Sequence, residues 1–129
     1  MGDVELSHYD ITERIIGACF DVAKELGSGF LESVYHKALA IALRQAGLDV
    51  QCHHPIRVMF RGESVGDFFA DMLVERCVIV ELKAAKALAG EHLAQVINYL
   101  NATGIDVGLL VNFGRPQIQV RRLTRRSTS

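Results

Sequence analysis

What this 129-residue sequence lacks excludes several classes of protein. No apolar run approaches the roughly 20 residues that a membrane-spanning helix needs, and the acidic first residues, Met1–Glu5, have no signal-peptide pattern. Neither an internal repeat nor a linker divides the chain. We therefore expect a single cytoplasmic domain over residues 1–129 that makes no contact with a membrane.

Cysteine is scarce as well. Cys19, Cys52 and Cys77 are odd in number, far apart and set among apolar residues, which argues against a disulfide framework and against a thiolate zinc site. We expect free, buried thiols. Half of the residues are apolar and 22% are charged, a composition that predicts a folded domain with a real core and excludes a disordered chain.

The chain has little net charge, but its charges are unevenly distributed. From residue 115 onward there are five arginines and no acid, so the preceding residues carry nine bases and fifteen acids, a net charge of −6. A basic tail from about residue 121, which includes Arg121 and Arg122, would suit contact with a polyanion. A solvated, frayed terminus would explain the same composition.

Apolar spacing predicts the element order α-α-β-β-β-α-β-β. The predicted helices cover residues 11–26, 31–46 and 91–103, and the predicted strands cover 50–60 (broken by Pro55), 64–74, 77–83, 106–112 and 117–122. The first three strands form an antiparallel meander. A right-handed crossover through the third helix then places strand 106–112 parallel to strand 77–83. This order predicts one α/β domain built on a mixed sheet.

The hairpin over residues 71–83 holds the most informative cluster of charges. Side chains alternate along a strand, so Glu81 and Lys83 share one face while Leu82 points to the other. If the hairpin turns at Glu75-Arg76, Asp71 lies beside Glu81 on the neighbouring strand. Because a buried, unpaired charge is costly, we interpret the two carboxylates and the ammonium as a divalent-metal site. An inter-strand ion pair is the structural alternative.

Two helices carry further candidates. Glu32 lies in the first turn of the second helix, where an acid is also favoured by the helix dipole. His92, Gln95 and Tyr99 form a polar stripe on the third helix beside its core residues. The adjacent His53 and His54 would face opposite sides of a strand and could not bind one metal together, so we expect them at the surface or on an edge. Asp67 is interpreted as a loop charge in preference to a supporting acid.

In that element order, Asp71 followed by Glu81-Leu82-Lys83 resembles the motif of the PD-(D/E)XK nuclease superfamily, whose core is αβββαβ. Ala70 stands where that motif has proline. The segment Gly29–Tyr35 matches the signature GxxExxY, Gln95 with Asn98–Leu100 fits the helix after the motif, and Val107–Gly114 fits the closing strand. Over roughly residues 11–114 the chain is therefore similar to the GxxExxY protein family, a bacterial and archaeal group within that superfamily.

The resemblance implies a PD-(D/E)XK nuclease-like αβββαβ core with a mixed sheet and an extra N-terminal helix. It also implies Asp71 and Glu81 as metal ligands, with the backbone carbonyl of Leu82 and, directly or through water, Glu32. Lys83 would be the catalytic lysine, and we assign it an electrostatic role in preference to that of a general base. Gln95 and Tyr99 would face the site, Gln95 on a water or phosphate oxygen and Tyr99 on an oxygen or a base. The metal would be Mg²⁺, with Mn²⁺ as an alternative.

Three functions stay open at this point. The first is a Mg²⁺-dependent nuclease acting on DNA, or on RNA, with Tyr99, Arg121 and Arg122 touching the nucleic acid. The second is a catalytically quiet nucleic-acid-binding or accessory module, and the third is a metal-stabilised interaction protein. Double-strand cleavage by one domain of this size would favour a homodimer.

Overall fold

The helices pack their apolar faces on both sides of a single β-sheet. The computed structural model describes residues 8–125. Its elements are α1 (His8–Leu26), α2 (Glu32–Gln45), β1 (Val50–Phe60), β2 (Glu63–Val74), β3 (Val78–Lys83), α3 (Gly90–Thr103), β4 (Val107–Asn112) and β5 (Gln119–Thr124). The predicted element order is confirmed, and each predicted boundary lies within three residues of the observed one.

The five strands form one mixed sheet in the order β1-β2-β3-β4-β5. β1, β2 and β3 are antiparallel neighbours, β3 and β4 are parallel, and β5 returns antiparallel along β4. The predicted meander and the predicted parallel crossover are both confirmed. All six residues of β4 and the first five of β3 are buried, because helices cover both faces of these central strands.

Each face of the sheet has its own core. α1 and α2 pack on one face, where Val80, Leu82 and Leu109 are fully buried. α3 packs on the other face, against Ile79 and Leu110. By strand alternation, Glu81 and Lys83 therefore lie on the α3 face of β3. The charged end of β3 therefore lies beneath α3, the helix that carries the predicted polar stripe.

The two hairpin turns are confirmed at the predicted residues. Glu75 and Arg76 have φ of 52° and 58°, and Arg61 and Gly62 have φ of 49° and 83°. A pair of left-handed residues suits the twist of the flanking strands. The predicted break at Pro55 is wrong: β1 continues through Pro55, which pairs with Phe69. β1 is an edge strand, so a residue without an N–H costs no ladder bond on its outer side.

β2 pairs with β3 only from Val74 to Met72, and beyond that point the β1–β2 hairpin extends alone. We call residues 54–70 of this hairpin the arm. Met72 belongs to the α1–α2 core, whereas Ala70 and Ile56 belong to the α3 core. The hairpin thus changes the face it presents between Met72 and Ala70, opposite His53, whose φ is 55°. The arm therefore folds over α3, and Asp71 lies at the bend.

The C-terminal segment differs from its prediction. Arg121 and Arg122 are residues of β5, so the tail does not begin at residue 121. Arg125 binds the carboxylate of Asp106, with its Nε 3.1 Å and its Nη2 3.0 Å from Oδ1. The remainder of the predicted tail, residues 126–129, lies outside the described residues. Within residues 8–125, no helix combines the length and the apolar character needed to cross a bilayer.

All three cysteines are free thiols, as expected. Cys19 is fully buried, and burial raises the pKa of its thiol to about 12. Cys52 and Cys77 are only half-buried, so the prediction that all three are core residues is wrong for these two. Cys77 follows the β2–β3 turn directly, and Cys52 lies near the start of the edge strand β1, which explains their partial exposure.

Candidate active site

Asp71 and Glu81 face each other where β2 and β3 separate. The backbone N–H of Asp71 donates to Glu81 Oε2 at 2.5 Å, and the N–H of Leu82 donates to Asp71 Oδ2 at 2.8 Å. Each carboxylate thereby accepts a bond from the strand opposite its own, in place of a ladder carbonyl. The two predicted acids are brought together by their own hydrogen bonds at the end of the ladder.

Glu81 is held where a carboxylate is electrostatically costly. Its side chain is 4% exposed. Burial and the nearby negative charge of Asp71 raise the pKa of Glu81 to about 8, and the bond from the Asp71 N–H and the charge of Lys83 only partly oppose them. Buried carboxyl groups with a raised pKa are concentrated at functional sites, because burying one costs stability and a purely structural core position gains nothing from it. A bound cation would relieve the same repulsion.

Lys83 and α3 complete one side of this cluster. Lys83 Nζ donates to Gln95 Oε1 at 3.4 Å. One turn further along α3, Tyr99 is 7% exposed. Burial, and after it the negative charges of Glu81 and Asp71, raise the pKa of the Tyr99 hydroxyl. The structure therefore brings Gln95 and Tyr99 of the predicted polar stripe to the charged end of β3.

His92, the third residue of that stripe, has a structural role. Its Nδ1 accepts the N–H of Ala89 at 3.0 Å at the start of α3. This bond satisfies one of the backbone donors that a helix leaves without an intrahelical partner at its N-terminus. His92 therefore fixes the beginning of the helix that carries Gln95 and Tyr99.

Glu32 approaches the cluster from α2. Much of its side chain is exposed, yet the partial burial of its carboxyl and the charge of Asp71 raise the pKa of Glu32, while Lys83 and His36 oppose them. Glu32 also contributes to the raised pKa of Glu81. The four charged residues predicted to meet therefore interact electrostatically at one rim of the sheet.

The loop before α2 is built to hold Glu32 in place. Tyr35 is fully buried, its hydroxyl donates to the carbonyl of Gly27 at 2.6 Å, and it accepts the N–H of Phe30 at 3.2 Å. Its ring stacks on Phe113 with centroids 4.8 Å apart. Gly29 has φ of 111°, which few other residues adopt. In the segment Gly29–Tyr35, the glycine and the tyrosine thus shape the turn from which Glu32 projects.

Two residues near the site were not identified from the sequence. His36 lies one turn after Glu32, its Nε2 is 3.0 Å from the carbonyl oxygen of Asp71, and its ring stacks on His53 at 4.9 Å. The spacing of Glu32 and His36, four residues apart on one helix, was the signal that could have revealed it. Asn112 is the second. No pattern indicated it, because a single asparagine at the end of a strand is ordinary.

Asn112 fixes the loop that follows Lys83. It is fully buried, and its side chain donates to the carbonyl of Ala85 and to Gln119 Oε1 and accepts the N–H groups of Ala85 and Gly114, at 2.9–3.0 Å. The N–H of Phe113 donates to the carbonyl of Lys83 at 2.8 Å. The end of β4 therefore holds the backbone on which Lys83 is mounted.

Asp71, Glu81 and Glu32 have the oxygen ligands that a hard cation prefers, but their side chains are not close enough together to surround one. Among residues 8–125, no group of three or more His, Cys, Asp or Glu side chains is close enough to hold a metal ion. Asp71 and Glu81 are adjacent, and Glu32 is within electrostatic reach. Three carboxylates form the oxygen-rich set that Mg²⁺ and Mn²⁺ prefer. The predicted ligands are therefore grouped but not assembled into a closed shell.

The remaining candidates are not part of the charged cluster, although His53 stacks on His36 beside it. Asp67 is on the arm, where its Oδ1 is 3.5 Å from Arg57 Nε in an exposed pair, so it is a strand residue and not a loop charge. His53 is exposed, in agreement with its predicted place on an edge. Arg121 and Arg122 are exposed on β5, where they pair with Leu110 and Leu109 of β4.

Comparisons with known proteins agree with this geometry. The family model of the PD-(D/E)XK nuclease superfamily matches residues 9–123. A search of curated proteins finds no match. The crystal structure of SSO0001 is similar, with 16% identity and a TM-score of 0.60; the match covers 93% of this chain and 60% of that one. This chain thus spans three fifths of the length of SSO0001.

A second similar structure is an alkaline exonuclease, LHK-Exo, from Laribacter hongkongensis. It is 14% identical with a TM-score of 0.54, and the match covers 95% of this chain and 73% of that one. At these identities the two likenesses establish a shared fold. Together with the sheet order and the helices on both faces, they confirm the predicted mixed α/β fold.

Proposed function

The chain belongs to the PD-(D/E)XK nuclease superfamily, and from that premise we propose that it is a nuclease that uses a divalent cation, Mg²⁺ or Mn²⁺, to hydrolyse phosphodiester bonds in DNA. The observation that carries the proposal is the reciprocal pairing of Asp71 and Glu81 beside Lys83. Two carboxylates and an ammonium at one sheet rim match what phosphoryl chemistry requires: negative ligands for a cation and a positive group for the developing anion.

The acids of the rim would hold the cation. Asp71 and Glu81 would be its principal ligands, with the carbonyl of Leu82 and with Glu32 from the first turn of α2. When bound, a divalent cation supplies a bound water of lowered pKa and a charge that neutralises phosphate oxygens. Because Glu81 binds its proton up to a pH of about 8 in the metal-free protein, binding of the cation is coupled to the release of that proton.

Lys83 and Gln95 serve the phosphate side. The ammonium of Lys83 stabilises the charge that develops on the phosphorane-like transition state. The bond from Lys83 Nζ to Gln95 Oε1 orients the ammonium, and the Gln95 side chain is placed to contact a water or a phosphate oxygen. The contact between His36 Nε2 and the carbonyl oxygen of Asp71 positions the backbone of Asp71.

A catalytically quiet nucleic-acid-binding module is the second candidate. It is favoured by the absence, among the described residues, of three metal-binding side chains in direct reach of one another. It predicts that the protein binds nucleic acid and leaves it intact with either cation present. The third candidate, a metal-stabilised interaction protein, predicts no affinity for nucleic acid at all.

Nicking of supercoiled plasmid DNA separates these candidates. We expect cleavage with Mg²⁺ or Mn²⁺ and none with EDTA. Separate substitutions Asp71→Ala, Glu81→Ala and Lys83→Ala should each reduce the rate at least 100-fold, in keeping with the loss of a metal ligand or an electrostatic catalyst, while circular dichroism stays that of a folded protein.

Asp67→Ala is the matched control, because Asp67 is an exposed acid on the same strand as Asp71 and its Oδ1 lies 3.5 Å from Arg57 Nε. It should cut at the wild-type rate. DNA binding without cleavage by the wild-type protein would favour the quiet module. Undiminished cation-dependent cleavage in all three site variants would show that the site is assigned wrongly.

A further inference from the structure

A cleft of about 600 Å³ separates the arm from α3, next to the candidate active site. Val58 and Phe68 line it from the arm, and Glu91, Gln95, Asn98 and Tyr99 line it from the helix. Its volume falls within the range of about 300–1,000 Å³ that is typical of small-ligand sites in proteins. The roles proposed for the rim do not account for Val58 and Phe68, which form the other wall of the cleft.

The cleft contains an aromatic platform. The Phe68 ring is 45% exposed and lies 5.9 Å from the Tyr99 ring, at an angle of 44°. Gly66 helps to fix the Phe68 ring, since a Cβ at residue 66 would lie 2.9 Å from ring atom Cε2. An exposed ring held beside a second ring offers a flat group a surface on which to stack, and nucleobases are bound in this way by many proteins.

The charges of the cleft select an uncharged ligand. None of its lining residues is a lysine or an arginine, and Glu91 places a carboxylate at its wall. A phosphate would therefore be repelled. The amides of Gln95 and Asn98, three residues apart on one helix, can donate and accept bonds to the edge of a base. A base satisfies both the flat platform and the polar edge.

The cleft is continuous with the charged rim. Gln95 lines the cleft and also accepts the bond from Lys83 Nζ. Tyr99 lines the cleft, and it is close enough to Glu81 and Asp71 to interact electrostatically with both carboxylates. One nucleotide could therefore place its phosphate at the rim and its base in the cleft.

We propose that this cleft is a subsite for one unpaired nucleobase next to the phosphate that is cut. The inference rests on the proposed nuclease function for the identity of the ligand strand. It names the substrate class: a single strand, a flap or a frayed end. A base inside a duplex is stacked on both faces and paired along one edge, so it reaches such a cleft only after extrusion, which costs a few kcal/mol.

Binding in EDTA tests the subsite without requiring cleavage. The probe is a short single-stranded DNA with one 2-aminopurine, whose fluorescence falls when the base stacks on an aromatic ring. We expect the wild-type protein to quench it and to bind it more tightly than the same strand carrying an abasic site at that position. Annealing the complement should weaken binding.

Phe68→Ala and Phe69→Ala form a matched pair. The two phenylalanines are neighbours on β2, both exposed, but strand alternation turns Phe69 away from the cleft. Because stacking of a base on an aromatic ring contributes about 1–3 kcal/mol, Phe68→Ala should weaken binding by roughly 5- to 150-fold and abolish quenching. Phe69→Ala should leave both unchanged.

Parallel cleavage assays with Mg²⁺ separate this inference from the proposed function. Quenching that depends on Phe68, in a protein that cuts nothing, supports the subsite and contradicts the nuclease. Cleavage by a protein that binds the abasic strand equally well, or whose affinity is unchanged by Phe68→Ala, overturns the subsite and leaves the nuclease standing. Failure to bind single strands at all overturns the subsite as well.

Discussion

At the scale of single residues, Glu81 determines how the protein responds to pH. Its pKa is raised from 4.5 to about 8 in the folded protein by burial and by the charge of Asp71. At pH values between 4.5 and about 8, Glu81 is therefore protonated in the folded state and ionised in the unfolded state. The free energy of unfolding must fall as pH rises through this window. Folding then requires Glu81 either to take up a proton or to be buried as a charged group.

We predict that the free energy of unfolding in EDTA decreases by on the order of 3 kcal/mol between pH 5 and pH 8. Urea unfolding at several pH values measures it. Glu81→Gln keeps the shape of the side chain without the titration and should remove most of this slope. Asp67→Asn, at an exposed acid of the arm, should leave the slope in place.

A divalent cation provides the complementary test of the same residue. By favouring the ionised form of Glu81, Mg²⁺ or Mn²⁺ should stabilise the wild-type protein more at pH 8 than at pH 5. A stability in EDTA that does not change with pH would show that burial does not raise the pKa of Glu81.

At the scale of elements, the loop after β3 depends on Asn112. Four hydrogen bonds to Ala85, Gly114 and Gln119 converge on this buried amide. We predict that Asn112→Ala destabilises the protein by about 3 kcal/mol, because it removes the partners of three part-buried backbone groups of Ala85 and Gly114. Gln119→Ala breaks only one of the four bonds and should cost about 1 kcal/mol or less.

Activity distinguishes a local effect of Asn112 from a global one. Under conditions where the Asn112→Ala variant is still folded, its cleavage rate should fall, because the loop that follows Lys83 is no longer fixed at Ala85. Gln119→Ala should cut normally. Equal losses of stability in the two variants would contradict the role given to Asn112.

The seating of α3 on the sheet depends on a glycine. A Cβ at Gly108 would lie 2.7 Å from Val96 Cγ1 and 3.5 Å from Leu100 Cδ1, so α3 packs directly against the backbone of β4. We predict that Gly108→Ala destabilises the protein by about 1–3 kcal/mol through overpacking. It should also reduce cleavage, since α3 carries Gln95 and Tyr99.

Gly17 is the control for that substitution. It lies on α1, and a Cβ there meets nothing within 4 Å. Gly17→Ala should stabilise the protein by up to about 1 kcal/mol through helix propensity, and it should not change cleavage. Thermal or urea unfolding of both variants measures the contrast. Partial rescue of Gly108→Ala by Val96→Ala would identify the clash as the cause.

At the scale of the whole molecule, much of the architecture could be predicted from the sequence. Apolar periodicity is a local signal, and it was sufficient for the helices, the strands and the turn at Glu75-Arg76. The adjacency of Asp71 and Glu81 followed from that turn. What periodicity could not reveal was the bend at Asp71, because it depends on where β2 stops pairing with β3.

The parts that were missed are long-range. Asn112 contacts Ala85 across 27 residues of sequence, and His36 contacts Asp71 across 35. No local pattern encodes such a pairing. The cleft is also a product of the tertiary fold, since it exists only because the arm bends over α3. Sequence reasoning thus located the acids of the site but not the residues that orient them or the space beside them.

The pairing of strands in the sheet relates the arginines of β5 to the candidate site. Glu81 pairs with Leu110 of β4, and Leu110 pairs with Arg121 of β5, so these residues lie in one row across the sheet. At about 4.8 Å per strand, Arg121 is roughly 10 Å from the Glu81 position along this row. Paired residues share a face, so Arg121 is on the face of the candidate site and Arg122 is on the other.

This geometry predicts different effects for two neighbouring arginines. Arg121→Ala should weaken DNA binding and lower the slope of log affinity against log salt by about 1, the loss expected for one phosphate contact. Arg122→Ala has the same charge change on the opposite face and should leave the slope unaltered. Binding measured by fluorescence anisotropy over a salt series tests both. If the two variants lose equal slope, the contact depends on the net charge of β5 and not on the face of the sheet that each arginine occupies.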